Sequence, residues 1–517
     1  SQIEYQTQSF VEKARRHGLP LRLMQLAADF GLDLFDLDVL LLCLAPALDL
    51  RYERLYGYLQ DDITHKRPGI NLALDLLCPP GPERLLALSH FADDAPLFKY
   101  LILERVPEAG QARSLLLNQS LHLDETVVAW LLGRYQAYHE LGPHVTWLVP
   151  RDDETDRLLA GDVLSGLERI ARYANGAPSI GAGERPVMAF YGPDQASQQA
   201  TARQLALRLN RPLLRVDLPS AISAATRADL TPLRALRLAL RDARMTGAVP
   251  CFFGWEACFS VEGTPPPDMF AELCAFPDLV IVAARVAWQP GGIDRERNLL
   301  WIEFPVPTFA QRQILWAHYL GQTDILAQDL DELAGQFLLT ASQVRDAVAS
   351  ARDAAVQRGD TVRSLDLFAS ARSHSTPGLS GLARKITPRY VWQDIVLPND
   401  PLTMLQELVA TVRGRPLVLD IWGLGKKLMS SNGVTVLFAG PPGTGKTMAA
   451  EVIAGELRLD LYKIDLSSVV SKYIGETEKN LSRIFDEAER SNAILFFDEA
   501  DALFGKRSEV RDSHDRY

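Results

Sequence analysis

Apolar residues fall at helical spacing over 21–30 and again over 34–48, and Gly31 separates the two runs. That spacing predicts two amphipathic helices broken at the glycine. Residues 101–106 and 114–123 read as short strands around the turn-forming stretch 107–111 (PEAGQ). Helices followed by a two-stranded wing predict a winged-helix-like docking domain over 1–150. A helical stretch over 157–174 then runs into the Gly/Pro/Ser segment NGAPSIGAGERP, so 151–184 reads as a helical linker. At Val187 the pattern changes. An apolar strand (VMAFY) enters a loop (GPDQASQQ) and a helix (ATARQLALRL), and the strands PLLRVDL, VPCFFGWE and DLVIVAAR follow with a helix between the first two. Such alternation predicts a parallel α/β sheet over 185–310. Residues 311–372 turn helical, and 373–389 reads as a second linker that opens with SHSTPGLSGL.

From Tyr390 the alternation starts again. The predicted strand VTVLFAG leads into PPGTGKT and the helix MAAEVIAGEL, then LYKIDL, SKYIGE, a helix over EKNLSRIFDEAERS and the strand AILFFDEAD. The chain therefore holds an internal repeat with anchors at Gly192 and Gly440 for the loop, and at Gly254 and Asp498 for the later strand end. The two anchors lie 62 residues apart in the first copy and 58 in the second.

The second copy carries the chemistry. Gly440-Pro441-Pro442-Gly443-Thr444-Gly445-Lys446-Thr447 matches G-x-x-x-x-G-K-[ST] between a predicted strand and a predicted helix. Glycines let backbone N–H groups turn inward around phosphate oxygens, and the helix N-terminus adds its positive dipole end. Lys446 is expected to reach the β/γ-phosphates, and the Thr447 hydroxyl to ligate Mg²⁺. The apolar strand 494–497 delivers Asp498 and Glu499 to the carboxyl edge of the sheet, where open α/β folds bind ligands. Asp498 is expected to hold the metal, and Glu499 to act as general base on the attacking water. The fold class is thus α/β, with P-loop NTPase parallel sheets in tandem behind a mainly helical domain.

GPPGTGKT, the aromatic–aliphatic–glycine segment Lys472-Tyr473-Ile474-Gly475 and FFDEAD occur in the order and at the spacing of the AAA ATPase family. The chain resembles that family closely over 390–517 and loosely over 185–375. The resemblance implies ATP/ADP and Mg²⁺ as cofactors and a homo-hexamer acting on a protein substrate. It extends the nucleotide-binding set to Met448, and Asp394 and Ile395 resemble the segment lining the family's adenine pocket. It makes Lys472, Tyr473, Ile474 and Gly475 a pore loop that grips polypeptide. FGKRSEVRDSHDRY, after the acidic pair, resembles a bacterial branch with an N-terminal winged helix and tandem copies, some members of which are encoded with contractile injection systems. The resemblance also implies a sensor strand, arginine fingers and a helical lid after the acidic pair. The sequence ends at Tyr517 without them, so the second copy is expected to be C-terminally truncated and inactive alone.

The first copy keeps the frame and loses the reactive groups. Along the chain Gly443 corresponds to Gln195, Gly445 to Ser197, Lys446 to Gln198 and Thr447 to Gln199, while Asp498 corresponds to Gly254 and Glu499 to Trp255. It is expected to be a scaffold that neither binds nor hydrolyses nucleotide. Phe304-Pro-Val-Pro307 with Arg312 resembles the family's exit from the sheet into the lid, which supports a retained fold.

Charge and composition narrow the partners. A formal net charge of −11, with acids outnumbering bases in the first 150 residues, argues against nucleic acid and against a membrane surface. The five cysteines (Cys43, Cys78, Cys251, Cys258, Cys274) form no C-x-x-C pair and read as buried thiols of a reducing cytosol. The N-terminus is polar, and the longest apolar run, 39–48, is too short to span a bilayer, so a cytoplasmic location is expected. The reading is ATP-dependent protein remodelling. A DNA-associated motor or loader, an assembly scaffold and a nucleotide-regulated switch in a transport complex stand as alternatives.

Overall fold

A computed structural model describes residues 21–107, 115–135, 142–163, 185–224, 231–291, 297–375, 383–416, 433–464 and 493–500, apart from one or two positions at a time inside these stretches, with a few more between them. The chain divides into two compact units. Residues 1–192 and 197–304 form the first, and 193–196 with 305–517 form the second.

The first unit opens with the helices Arg22–Phe30 and Leu34–Leu48. Gly31 ends the first of them at φ 67°, a left-handed turn that favours glycine. Asp33 starts the second through a capping box with Asp36. Further on, β1 (Leu103–Val106) pairs antiparallel with β2 (Ser120–Leu123), giving the two-stranded wing. The second wing strand is shorter than the pattern predicts. Leu116–Asn118 is a 3₁₀ turn instead, and residues 108–114 lie outside the described residues. The predicted helix over 157–174 is helical at 154–161, and most of the rest of it lies outside the described residues.

The α/β part of this unit is a six-stranded sheet in the order β3-β5-β6-β7-β4-β8. The strands are β3 (Val145–Leu148), β4 (Val187–Tyr191), β5 (Leu213–Asp217), β6 (Val249–Phe253), β7 (Val280–Ala284) and β8 (Leu299–Glu303). All pairings are parallel except β3 on β5. β6 and β7 are buried at every position, which is why they read as unbroken apolar runs rather than alternating ones. Two strands escaped the sequence pattern: β3, an antiparallel edge contributed by the segment ahead of the repeat, and β8, whose residues are half-exposed.

Helix Pro232–Thr246 of this sheet is fused to the winged-helix segment. Arg241 on it is buried, donates to the Leu101 carbonyl, and lies 3.0 Å from both Asp124 and Asp242. Tyr135 closes the network on Asp242 at 3.1 Å. Burial pushes the Asp242 carboxyl up from its ordinary value, against the pull of Arg241. Met245 enters the winged-helix core, and the Arg244 guanidinium lies over the rings of Phe30 and Tyr100.

The second unit begins with four helices, Phe309–Leu320, Ala327–Gln336, Ala341–Arg358 and Ser364–Ser375. Capping boxes at Thr308/Gln311 and Thr340/Gln343 start two of them. Arg312, singled out in the sequence, is buried and donates to the carbonyls of Pro307 and Ala334, tying the Phe-Pro-Val-Pro exit to the helices. The last helix runs through Ser375, past the predicted boundary at 372. The predicted linker also contains a strand, β9 (Arg384–Ile386). β9 pairs antiparallel with β10 (Leu461–Ile464), which pairs parallel with β11 (Ile494–Phe497). The series β9-β10-β11 thus repeats β3-β5-β6, antiparallel edge included, so the internal repeat reaches one strand further back than the sequence pattern shows.

The predicted strand ahead of the phosphate loop is not a strand here: residues 434–439 pair with nothing among the described residues, and Leu437 is 84% exposed. The first copy gives the physical reason. Its equivalent, β4, is held between β7 and β8, both of which follow β6 in the chain. Counterparts of β7 and β8 would follow β11, where the described residues end.

Candidate nucleotide site in the second copy

The phosphate loop is built by backbone conformation. Gly440, Gly443 and Gly445 take φ of 156°, 82° and 86°, a region that favours glycine. Nothing lies within 4 Å of where a Cβ would stand at Gly443 or Gly445, so the loop faces open space there. Gly445 caps helix Lys446–Leu457, whose first N–H groups and positive dipole end face the loop. Thr444 Oγ1 donates to the Pro441 carbonyl at 2.9 Å and braces the turn. Lys446 Nζ folds back into the loop and donates to the carbonyls of Gly440 and Pro441, both at 2.9 Å. Pro442 is exposed, and Thr447 and Met448 follow on the first helical turn, half-buried.

Helix 446–457 is seated by the segment before it in the chain. Ile395 packs with Leu405, Val409, Ala449, Ile453 and Leu457, and Met448 and Trp392 border the same cluster. Asp394 turns inward on its own segment, where its carboxylate accepts from the Val391 N–H at 2.9 Å. The Trp392 indole donates to Glu456 at the far end of the helix, at 3.1 Å. Ile395 therefore packs against the loop helix, whereas the Asp394 side chain is engaged locally.

Asp498 stands directly after β11 and meets Lys463 Nζ of β10 at 2.6 Å. Glu499 and the whole segment Lys472, Tyr473, Ile474 and Gly475 lie outside the described residues. The groups that are described, an ammonium in a glycine loop at a helix N-terminus, a hydroxyl one residue on and a carboxylate at the end of β11, are of the types that a polyphosphate with a divalent cation requires.

The first copy shows the same frame closed. Gln198, at the position of Lys446, is buried and donates to the Gly192 carbonyl at 3.0 Å and to the Ala284 carbonyl at 3.1 Å. The amide thus meets the carbonyl of the loop's first glycine, as Lys446 does in the second copy. A Cβ on Gly192 would collide with the Phe304 carbonyl, so the loop is pressed against the end of β8. Beyond the strand ends Trp288 packs against Trp255, Trp301, Phe259 and Phe270, with centroids 4.8 to 6.3 Å apart. Trp255 and Trp288 follow the ends of β6 and β7 and pack in a different core cluster from Phe253 and the loop helix.

Strand register corrects one correspondence. Leu213 pairs with Val249, and its equivalent Leu461 pairs with Ile494. Counted across the ladders, Phe253 rather than Gly254 takes the place of Asp498, and Gly254 that of Glu499. The shared Phe-Phe pair misled the alignment along the chain, because β11 joins its partner one residue later. Neither count leaves a carboxylate in the first copy. The sequence also missed Lys463; its signal was the parallel between Leu-Leu-Arg-Val-Asp and Leu-Tyr-Lys-Ile-Asp.

Among the described residues no helix is long and apolar enough to cross a membrane. Cys43 and Cys251 are buried, with burial pushing both thiols well up, and the other three cysteines are half-buried.

Residues 436–517 match the ATPase family associated with various cellular activities (AAA). Residues 2–145 match a variant winged helix domain, and 308–377 match the contractile injection system ATPase helical domain. Relatives include an "Uncharacterized AAA family ATPase y4kL" of Sinorhizobium fredii, 38% identical over 24% of this chain and 36% of its own length. The peroxisomal ATPase PEX6 of Eremothecium gossypii is 28% identical over 42% of this chain and 23% of its own length. Cell division protein C of Sulfolobus acidocaldarius is 36% identical over 26% and 34%. The chain spans about a third or less of the length of these relatives. The similarity to the AAA family of ATPases thus lies in residues 436–517.

Proposed function

We propose that this chain is an ATP-hydrolysing, protein-remodelling subunit that serves a contractile injection system. The observation that carries the reading is Lys446 seated inside a glycine loop at a helix N-terminus, with Asp498 at the end of β11. The match of 308–377 to the injection-system helical domain supports the setting. Lys446 leaves its two carbonyl contacts to meet β/γ-phosphate oxygens, and the loop N–H groups hold the rest of the phosphate chain. Thr447 and Asp498 would hold Mg²⁺, which when bound would offset the negative charge of the phosphates. Glu499 takes the proton of the attacking water. Tyr473 and Ile474 grip the polypeptide substrate, in a ring of six subunits in the cytoplasm. The first copy is a scaffold that carries the winged-helix segment.

The test is a pair of variants in the intact protein. Glu499→Gln keeps ATP bound and stops turnover, because it removes the base and spares the cradle. Lys446→Ala weakens binding itself. Wild-type turnover in Glu499→Gln would overturn the assignment of the base.

A further inference from the structure

We propose that Lys463 is a positioning residue for Asp498, holding its carboxylate at the edge of the nucleotide site in competition with the divalent cation. The inference rests on the metal role of Asp498 proposed above. Lys463 is the half-buried position of a strand whose other three residues are buried, so its stem is fixed and only the ammonium end is free to choose a partner. That end meets Asp498 Oδ2 at 2.6 Å, with the two side chains 37% and 40% exposed. The pair is thus wet enough to exchange partners and close enough to orient the carboxylate.

The ladder explains the meeting. Lys463 lies beside Phe496, and Asp498 is two residues further on, hence on the same face of the sheet. The first copy repeats the arrangement with the acid missing. Arg215 lies beside Cys251, and two residues on stands Phe253, over whose ring the Arg215 guanidinium lies at 5.6 Å. Both copies keep a cation at the third position of this strand. Where the acid is present the cation pairs with it, and where a phenyl ring replaces the acid the cation stacks on the ring.

A lysine so placed has two effects on a cation site. It holds the carboxylate in one orientation, and its charge opposes a divalent cation approaching the same oxygens. Removing it takes away a charge that opposes the metal and loosens the aim of the carboxylate.

Mn²⁺ is the probe, titrated into the intact protein loaded with a fluorescent ATP analogue and followed by electron paramagnetic resonance. Affinity for the same analogue in EDTA reports that the loop is folded. Lys463→Met lowers the Mn²⁺ concentration for half-saturation by about three- to tenfold, the size expected for removing one charge near a divalent ion in a wet site. Lys463→Arg restores the wild-type value. In an Asp498→Asn background Lys463→Met shifts nothing further. If Lys463→Met loses nucleotide binding in EDTA, Lys463→Gln is read in its place. Half-saturation within twofold of wild type in Lys463→Met, alongside a shift in Asp498→Asn, overturns the inference alone. No shift in Asp498→Asn overturns the metal role of Asp498 and this inference with it.

Discussion

At position 198 the chain carries an amide where its second copy carries an ammonium. The amide spans from the Gly192 carbonyl to the Ala284 carbonyl, so it joins the loop to the end of β7. Replacing it by alanine leaves buried carbonyls short of a donor, at a cost of about 1–2 kcal/mol, to be read from urea unfolding. Gln198→Lys is expected to create no nucleotide affinity, because Gly192 is pressed on the Phe304 carbonyl and neither Phe253 nor Gly254 supplies a carboxylate. Binding of a fluorescent ATP analogue to a Lys446→Ala/Gln198→Lys protein would contradict that. The loss of Lys446, Asp498 and Glu499 from the first copy was legible residue by residue, since single charges are either present or absent. What replaced them was not legible. A glutamine bridging two carbonyls, and tryptophans from three separate segments meeting in one cluster, depend on packing that no local pattern records.

Mostly apolar strands announce themselves as apolar runs, and β4, β5, β6, β7, β10 and β11 were all readable that way. The edge strands β3 and β9 were not, because half of each is solvated and their partners lie far along the chain. Residues 434–439 erred in the other direction: an apolar run predicts a strand, yet a strand needs neighbours. A second element-scale feature joins the helical segment to the second copy. Asp460 is buried beside Lys385 of β9 at 2.5 Å and Arg372 of helix Ser364–Ser375 at 3.7 Å, and Arg458 stacks over Phe368 of that helix at 4.7 Å. Arg458 caps the far end of the phosphate-loop helix at φ 54°. Asp460→Ala should therefore raise hydrogen exchange in 364–375 as well as in 384–386. Faster exchange confined to 384–386 would show that the aspartate serves only its own sheet.

Acid stability belongs to the same scale. Asp278, just before β7, is opposed by burial, yet Arg211 and Arg185 hold its carboxyl below the usual carboxylate range. A depressed folded value adds stability that is present above the unfolded pKa, roughly 3.9, and lost as pH falls through the folded one. Asp278→Asn should flatten unfolding free energy against pH below about 4 and leave its slope near neutrality unchanged. An unaltered acid limb would show that the arginines make no net contribution there.

Over the whole molecule, the two α/β copies share a frame and differ in the charged groups it carries. The first is welded to the winged-helix segment through Arg241, Asp124 and Asp242, a buried network whose disruption leaves charge uncompensated. Breaking such a pair typically costs about 3–5 kcal/mol, so Arg241→Met should uncouple the winged-helix segment from the sheet in thermal unfolding. The second copy carries the only complete phosphate loop in the sequence. If the first copy is a scaffold, the intact protein takes up one nucleotide per chain at saturation, and Lys446→Ala removes that uptake rather than halving it. Calorimetric titration with a non-hydrolysable ATP analogue counts the sites directly. A stoichiometry near two, or a site surviving in Lys446→Ala, would mean that the Gln198 bridge opens and that the first copy still takes nucleotide.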